Sequence, residues 1–162
     1  MKFRPFQPDD AEFCFRLRSN AVILKFYGEL TAAEVAATVN AYLPDDYIRI
    51  AREWPFFIVE KEGAPVAFFN LKRKDHHTAE LPMIYIDLDC LGGGIGFACI
   101  KYMEQWLKEH WLEVDTLIVD TVIPKYNSGF YKKAGFEPTE LTHCELSGLK
   151  IKALRLTKKI RD

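Results

Sequence analysis

Two kinds of apolar pattern alternate along the chain. Compact β-rich runs occur at Phe56–Glu60, Val66–Leu71, Leu81–Leu88 and Leu117–Val122. Apolar runs of this length, rich in β-branched and aromatic residues, read as strands. Lys2–Phe6, with Phe3 and Phe6 apolar, reads as a short first strand, and Phe136–Cys144 and Leu149–Leu156 as the last two. Lys61-Glu62-Gly63 and Ser147-Gly148 are turn signals that join neighbouring runs into hairpins. The last strand alternates through Leu149, Ile151 and Ala153 and then shifts, which predicts a bulge near Leu154. Lys72–Thr78 is polar and reads as a loop.

The other pattern is helical. Asp9 and Asp10 stand where acidic groups favour a helix start, and Phe13, Cys14 and Leu17 give one apolar face up to about Arg18. Residues 19–30 are irregular or partly helical in this reading. Thr31-Ala32-Ala33-Glu34 is a capping box. Ala32, Val35, Val39 and Leu43 form the buried stripe of a second helix, which Pro44 is expected to stop. Phe97, Ile100, Met103, Leu107 and Trp111 recur at helical spacing, with Lys101, Glu104 and Lys108 outside. Asn127–Ala134 forms the last helix and Gly135 its C-terminal stop. The order is strand, two helices, three strands, helix, strand, helix, two strands. No linker or repeat interrupts it, so residues 1–162 read as one mixed α/β domain.

Composition narrows the class. Of 162 residues 49% are apolar, enough for a core, so wholesale disorder is disfavoured. The 22 basic and 23 acidic side chains give a net charge of −1, with no long block of one sign. Neither a nucleic-acid partner nor an acidic tail is expected. The stretch MKFRPFQPDD lacks the apolar region of a secretory signal, and no run approaches the ~18 apolar residues of a membrane span, so no membrane is expected. Four scattered cysteines without a CxxC pair suggest reduced thiols and a cytoplasmic protein.

Gly92, Gly93, Gly94 and Gly96 cluster between the Leu81–Leu88 strand and the following helix. Glycines there allow positive φ and close approach of a ligand, and free amides at a helix N-terminus can hold an anion such as a diphosphate. Gly96-Phe97-Ala98 lacks the Gly-Lys-Ser/Thr ending of a Walker A loop. The dinucleotide fingerprint GxGxxG fails too, since Cys99 or Phe97 takes the third glycine position. Asp120 lies near the spacing of a ribose-binding acid, but only 66 residues follow Gly96, too few for the second half of a dinucleotide fold.

At these residues the sequence resembles the GCN5-related N-acetyltransferase (GNAT) family. Its Gln/Arg-x-x-Gly-x-Gly/Ala block is similar to Leu91-Gly92-Gly93-Gly94-Ile95-Gly96, with Leu91 in place of Gln or Arg. Its second block is matched by Asn127, Phe130, Tyr131, Gly135 and Phe136, with Pro124 replacing an asparagine. The start Arg4-Pro5-Phe6 with Asp9-Asp10 is also similar, and the element order covers nearly the whole chain. The resemblance implies a mixed, mostly antiparallel sheet flanked by about four helices and splayed between strands 4 and 5. It implies acetyl-CoA as cosubstrate, with no metal, and acetyl transfer to an amine. Backbone groups at Ile86 and Leu88 would pair with the pantetheine arm, amides from Leu91, Gly92, Gly93, Gly94, Ile95 and Gly96 would hold the diphosphate, and Asn127 would contact the pantetheine or adenylate end. Lys101, Lys125, Lys132 and Lys133 are candidates for the outer phosphate.

Direct transfer needs a neutral amine, a polarised carbonyl and a proton for the departing thiolate. Amides of the Leu81–Leu88 strand can polarise the carbonyl. Tyr131 matches the family's tyrosine, a phenol suited to protonating the sulfur. Asp120 is the first candidate for the base, with Glu80 and Asp87 as alternatives. Cys90 adjoins the loop but has no histidine near it in sequence, so a covalent route is disfavoured. Adjacent His76 and His77 lack the ligands that would complete a metal site. Tyr27, Glu29, Tyr42, Tyr47 and Trp54 lie in the segment that shapes the acceptor pocket in this family, where aromatics could embrace a cationic amine. A non-catalytic acyl-CoA-binding relative and a nucleotide-binding domain are the rival readings. The acceptor amine and oligomeric state stay open, and a homodimer is compatible with the sequence.

Overall fold

Phe56-Phe57-Ile58-Val59 is an unbroken apolar run because both faces of its strand are covered. Phe57 and Val59 join one core with Phe69, Leu71, Cys99, Met103 and Leu107. Phe56 and Ile58 join another with Cys14, Tyr47, Phe68 and Met83. Side chains alternate across a strand, so an all-apolar strand needs two apolar partners.

The structure is a computed structural model describing residues 1–25, 28–122 and 124–161, with backbone alone at residues 25 and 124–128. Seven strands, β1 (Lys2–Pro5), β2 (Phe56–Lys61), β3 (Ala64–Arg73), β4 (Thr78–Ile86), β5 (Thr116–Thr121), β6 (Glu137–Leu146) and β7 (Leu149–Lys159), form a sheet in the order β1-β2-β3-β4-β5-β7-β6. Neighbours are antiparallel except β4 and β5, which are parallel. The helices are α1 (Ala11–Lys25), α2 (Ala32–Asn40), α3 (Pro44–Glu53), α4 (Ile95–His110) and α5 (Pro124–Lys133). Helices α1 and α3 cover one face, while α4 and the end of α5 cover the other. No helix among the described residues is long and apolar enough to cross a membrane.

The seven strands and both hairpins follow the sequence pattern. Glu62 and Gly63, and Ser147 and Gly148, all have positive φ, as a tight two-residue hairpin turn requires. Four expectations need correction. Helix α1 continues through the stretch read as irregular, to Lys25. Pro44 does not only end what precedes it: it opens α3, where its missing N–H costs nothing. Asp46 Oδ2 accepts from the Leu43 amide at 2.8 Å, fixing that start. The bulge predicted near Leu154 lies instead on the partner strand, between Pro138 and Glu140. Leu154 and Leu156 both face the α4 core, so alternation along β7 is unbroken. Finally, β4 ends at Ile86, and Leu88 belongs to a one-turn helix, Leu88–Cys90.

An ion-pair fork ties the first strand to the start of α1. Arg4 donates to both Asp10 oxygens at 2.8 Å and to Glu60 at 2.6 Å. Burial pushes the Asp10 carboxyl up, but the Arg4 fork and the Gln7 amide outweigh it and hold the group below its ordinary value. A lowered carboxylate stabilises the fold above its unfolded pKa, and that contribution is lost as pH falls through the folded value. Asp10→Asn is therefore expected to flatten the loss of stability below about pH 4. Urea melts across the acid range check this; a slope equal to that of the parent protein would contradict it.

Candidate active site

The parallel contact between β4 and β5 is short. Only Thr78, Ala79 and Glu80 pair, with Thr116, Leu117 and Ile118. Beyond Glu80 the two strands part. The cause is visible in the register of β3 and β4: Asn70 faces Met83 but Lys72 faces Glu80, so Leu81 and Pro82 stand opposite Leu71 alone. That is a β-bulge, and a bulge bends its strand. Pro82, which has no amide to give, is suited to such a position.

Past the bulge, β4 pairs on one side only among the described residues. The Asp87 amide donates to the Val66 carbonyl at 2.8 Å, and Ile86, Tyr85, Ile84 and Met83 face Ala67, Phe68, Phe69 and Asn70 in register. Amide direction alternates along a strand. Asp87, Tyr85 and Met83 therefore turn their backbone groups toward β3, and Ile84 and Ile86 turn theirs toward the gap. Ile86 and Ile84 lie on this open edge. Leu88 lies beyond the strand, in the one-turn helix, where its carbonyl accepts from the Leu91 amide at 3.3 Å.

The glycine loop leads from this edge into α4. Gly94 is the N-terminal cap, with φ of 77° in the left-handed region that favours glycine. The first intrahelical bond is Ala98 to the Gly94 carbonyl, 3.0 Å, so the amides of Gly94, Ile95, Gly96 and Phe97 have no acceptor within the helix. Leu91 and Gly93 amides are already spent in turns, on Leu88 at 3.3 Å and Cys90 at 3.4 Å. The anion-binding capacity is thus at the helix start itself rather than spread over Leu91–Gly96. A free helix N-terminus suits a diphosphate. Gly96 has a further reason to be glycine: a Cβ there would lie 2.8 Å from the Phe130 ring. Lys101, Lys132 and Lys133 are partly to fully solvent-facing. The Asn127 and Lys125 side chains, and Tyr27, lie outside the described residues.

A cavity of about 510 Å³ opens along the gap. Its walls include Leu81–Ile86 of β4, Val119–Val122 around the end of β5, Phe130 and Tyr131 of α5, His143–Leu146 of β6, and Arg18, Thr38 and Tyr42 from the N-terminal helices and their ends. The β6–β7 hairpin is drawn against α2 by Ser147, whose hydroxyl donates to the Ala37 carbonyl at 3.1 Å. Tyr131 is buried, and burial pushes its phenol well above its ordinary value, so the group keeps its proton at neutral pH. Asp120 also lines the cavity, but both its oxygens are held by Arg155, at 2.8 and 2.9 Å. Glu80 stands on the same wall, its ion-pair partner Lys74 3.6 Å away. Asp87 instead accepts from the Asp89 amide at 3.0 Å, capping the turn. Cys144 lines the cavity, and its thiol is pushed up to about 11 by burial and by the charges of Asp120 and Glu80, so it is no nucleophile at neutral pH.

The family model of the Acetyltransferase (GNAT) family matches residues 24–136. The chain belongs to the GNAT family. Solved GNAT structures agree over nearly the whole chain. A GCN5-related N-acetyltransferase from Rhodopseudomonas palustris superposes with a TM-score of 0.84 at 19% identity, covering 98% of this chain and 94% of that one. PaiA N-acetyltransferase from Thermoplasma acidophilum, solved in complex with coenzyme A, gives 0.79 at 16% identity, with 98% of each chain covered. A spermidine N-acetyltransferase SpeG chimera from Vibrio cholerae and hSSAT gives 0.70 at 14% identity, covering 99% and 96%. No curated protein sequence matches the chain. These likenesses are in the fold: the GNAT sheet, parted between β4 and β5.

Proposed function

We propose that this chain is an acyl-CoA-dependent N-acyltransferase that transfers acetyl from acetyl-CoA to a primary amine by direct attack. The observation that carries the reading is the unpaired edge of β4 at Ile84 and Ile86, lying in one gap with the buried Tyr131 and leading into the free N-terminus of α4. An extended amide-bearing chain can add to such an edge, and a diphosphate can end at the helix. The residues therefore suit coenzyme A: Ile84 and Ile86 for the pantetheine arm, Gly94–Phe97 amides for the diphosphate. Bound acetyl-CoA supplies the thioester, whose C–S bond breaks as the amine nitrogen forms the new C–N bond.

The protein's part is positioning and proton transfer. Tyr131 gives its phenolic proton to the departing sulfur, a role supported by a phenol kept protonated by burial. The amine must lose a proton. Asp120 is poorly placed to take it, since the Arg155 fork occupies both oxygens. We assign that step to Glu80, acting directly or through a water, and give Asp120 the task of anchoring β5 to β7. Glu80→Gln should lower kcat/KM with little change in melting temperature, while Asp120→Asn chiefly lowers the melting temperature. The reverse pattern would return the base to Asp120.

The activity test has two stages. Acetyl-CoA should raise the melting temperature, and free thiol should appear from acetyl-CoA only when an amine is added. Stabilisation without turnover over a broad amine panel would favour a non-catalytic acyl-CoA-binding protein. Stabilisation by NAD(P) instead would overturn both acyl-CoA readings.

A further inference from the structure

Arg18 projects from α1 into the cavity and is only 3% exposed. A buried guanidinium ordinarily has a carboxylate beside it, since an unpaired charge out of water is costly. Arg18 has none among the described residues. Its terminal nitrogen donates to the Thr38 carbonyl at 2.6 Å, and its Nε is buried without any hydrogen-bond partner. The rings of Tyr42 and Tyr85 flank it, with centroids 4.9 and 5.7 Å away. Rings at these distances offset part of the charge and steady the planar group. They accept no ordinary hydrogen bond, so the buried Nε donor stays unanswered.

The acids of the same cavity are differently placed. Asp120 is matched by Arg155, Glu80 has Lys74, and Glu145 of β6, the third acid of the lining, is exposed to solvent. The cavity therefore holds paired carboxylates on the β4–β5 side and an unmatched cation on the α1 side. A ligand that answers Arg18 must bring an anion with it, and a planar carboxylate fits the guanidinium fork best. Resting on the acyltransferase reading, we propose that the acceptor is an amine that carries a carboxylate, an amino acid in the broad sense, and that Arg18 binds that carboxylate and so selects the substrate. Polyamines, which bring only positive charge, leave Arg18 unanswered and are then disfavoured.

The test uses matched pairs. The twenty L-amino acids and straight-chain ω-amino acids are compared with their carboxamides as acceptors, read as thiol released from acetyl-CoA. At least one free acid should exceed its amide by about ten- to a hundredfold in kcat/KM, the worth of one charged hydrogen-bonded pair. Arg18→Gln should erase that preference mainly through KM, and Arg18→Lys should keep part of it if the glutamine variant folds poorly. The second readout is binding: the N-acetylated acids, but not the N-acetylated amides, should raise the melting temperature of the protein mixed with coenzyme A, and Arg18→Gln should abolish the difference. Equal use of acids and amides, a preference for polyamines, or no response to either class would overturn the proposal. Carboxylate-selective stabilisation without thiol release would keep the Arg18 site and remove the transferase reading. Turnover without carboxylate selectivity would do the opposite.

Discussion

Replacing Tyr131 by phenylalanine is expected to lower kcat by about 10²–10⁴-fold, the usual worth of a positioned general acid. The phenol lies in the gap between β4 and β5, and burial keeps it protonated across the neutral range. The fall in rate should therefore be nearly uniform from about pH 6 to pH 9. The ring itself packs edge-on against Phe130 and Phe136, at 5.1 and 5.6 Å, and phenylalanine keeps those contacts. Melting temperature and the stabilisation by acetyl-CoA should stay close to the parent values. An unchanged rate of thiol release, measured where the chemical step limits, would remove Tyr131 from the mechanism.

The second large effect is expected at Gly96. Its missing side chain lets the Phe130 ring of α5 approach α4, and any Cβ would meet that ring at 2.8 Å. Phe130 is itself held by Phe97, at 5.3 Å, and by Tyr131. Gly96→Val therefore has to push α5 away from the start of α4, disturbing the proposed cofactor helix and the proposed acid together. Overpacking of this kind costs about 1–3 kcal/mol, seen as a lower melting temperature. The larger consequence is functional: acetyl-CoA should no longer stabilise the protein measurably, and turnover should fall with it. Pairing the milder Gly96→Ala with Phe130→Ala opens space for the new methyl, so the double variant should recover cofactor binding relative to Gly96→Ala alone. If Gly96→Val binds acetyl-CoA as well as the parent, the close approach of the two helices is not what the site depends on.

The candidate site was partly legible in the chain because its cofactor side is local. A strand, a glycine-rich turn and a helix start within a dozen residues announce an anion site by backbone chemistry alone, and Gly94 with φ of 77° is the position that demands it. Local reading also erred where two signals share a residue. Pro44 can stop one helix or open the next, and only the acidic first turn of Asp45 and Asp46 pointed to the second. Leu88 continued an apolar run and so read as strand. The Asp87 cap and the Leu91 amide instead end the strand two residues earlier, at Ile86, which leaves Ile84 and Ile86 as the pair facing the gap.

What the sequence by itself determined is the seven strands and their order, both hairpin turns and the glycine-rich helix start, but not α3. Each depends on side-chain periodicity or φ preference over a few residues. The tertiary structure decided which charges meet around the cavity. It joined Asp120, the first candidate base, to Arg155 across 35 positions. It also enclosed Arg18 between Tyr42 and Tyr85 with no acid to match it among the described residues. Charges that meet only when distant segments pack leave no spacing rule in the chain, because burial and pairing are properties of the assembled core.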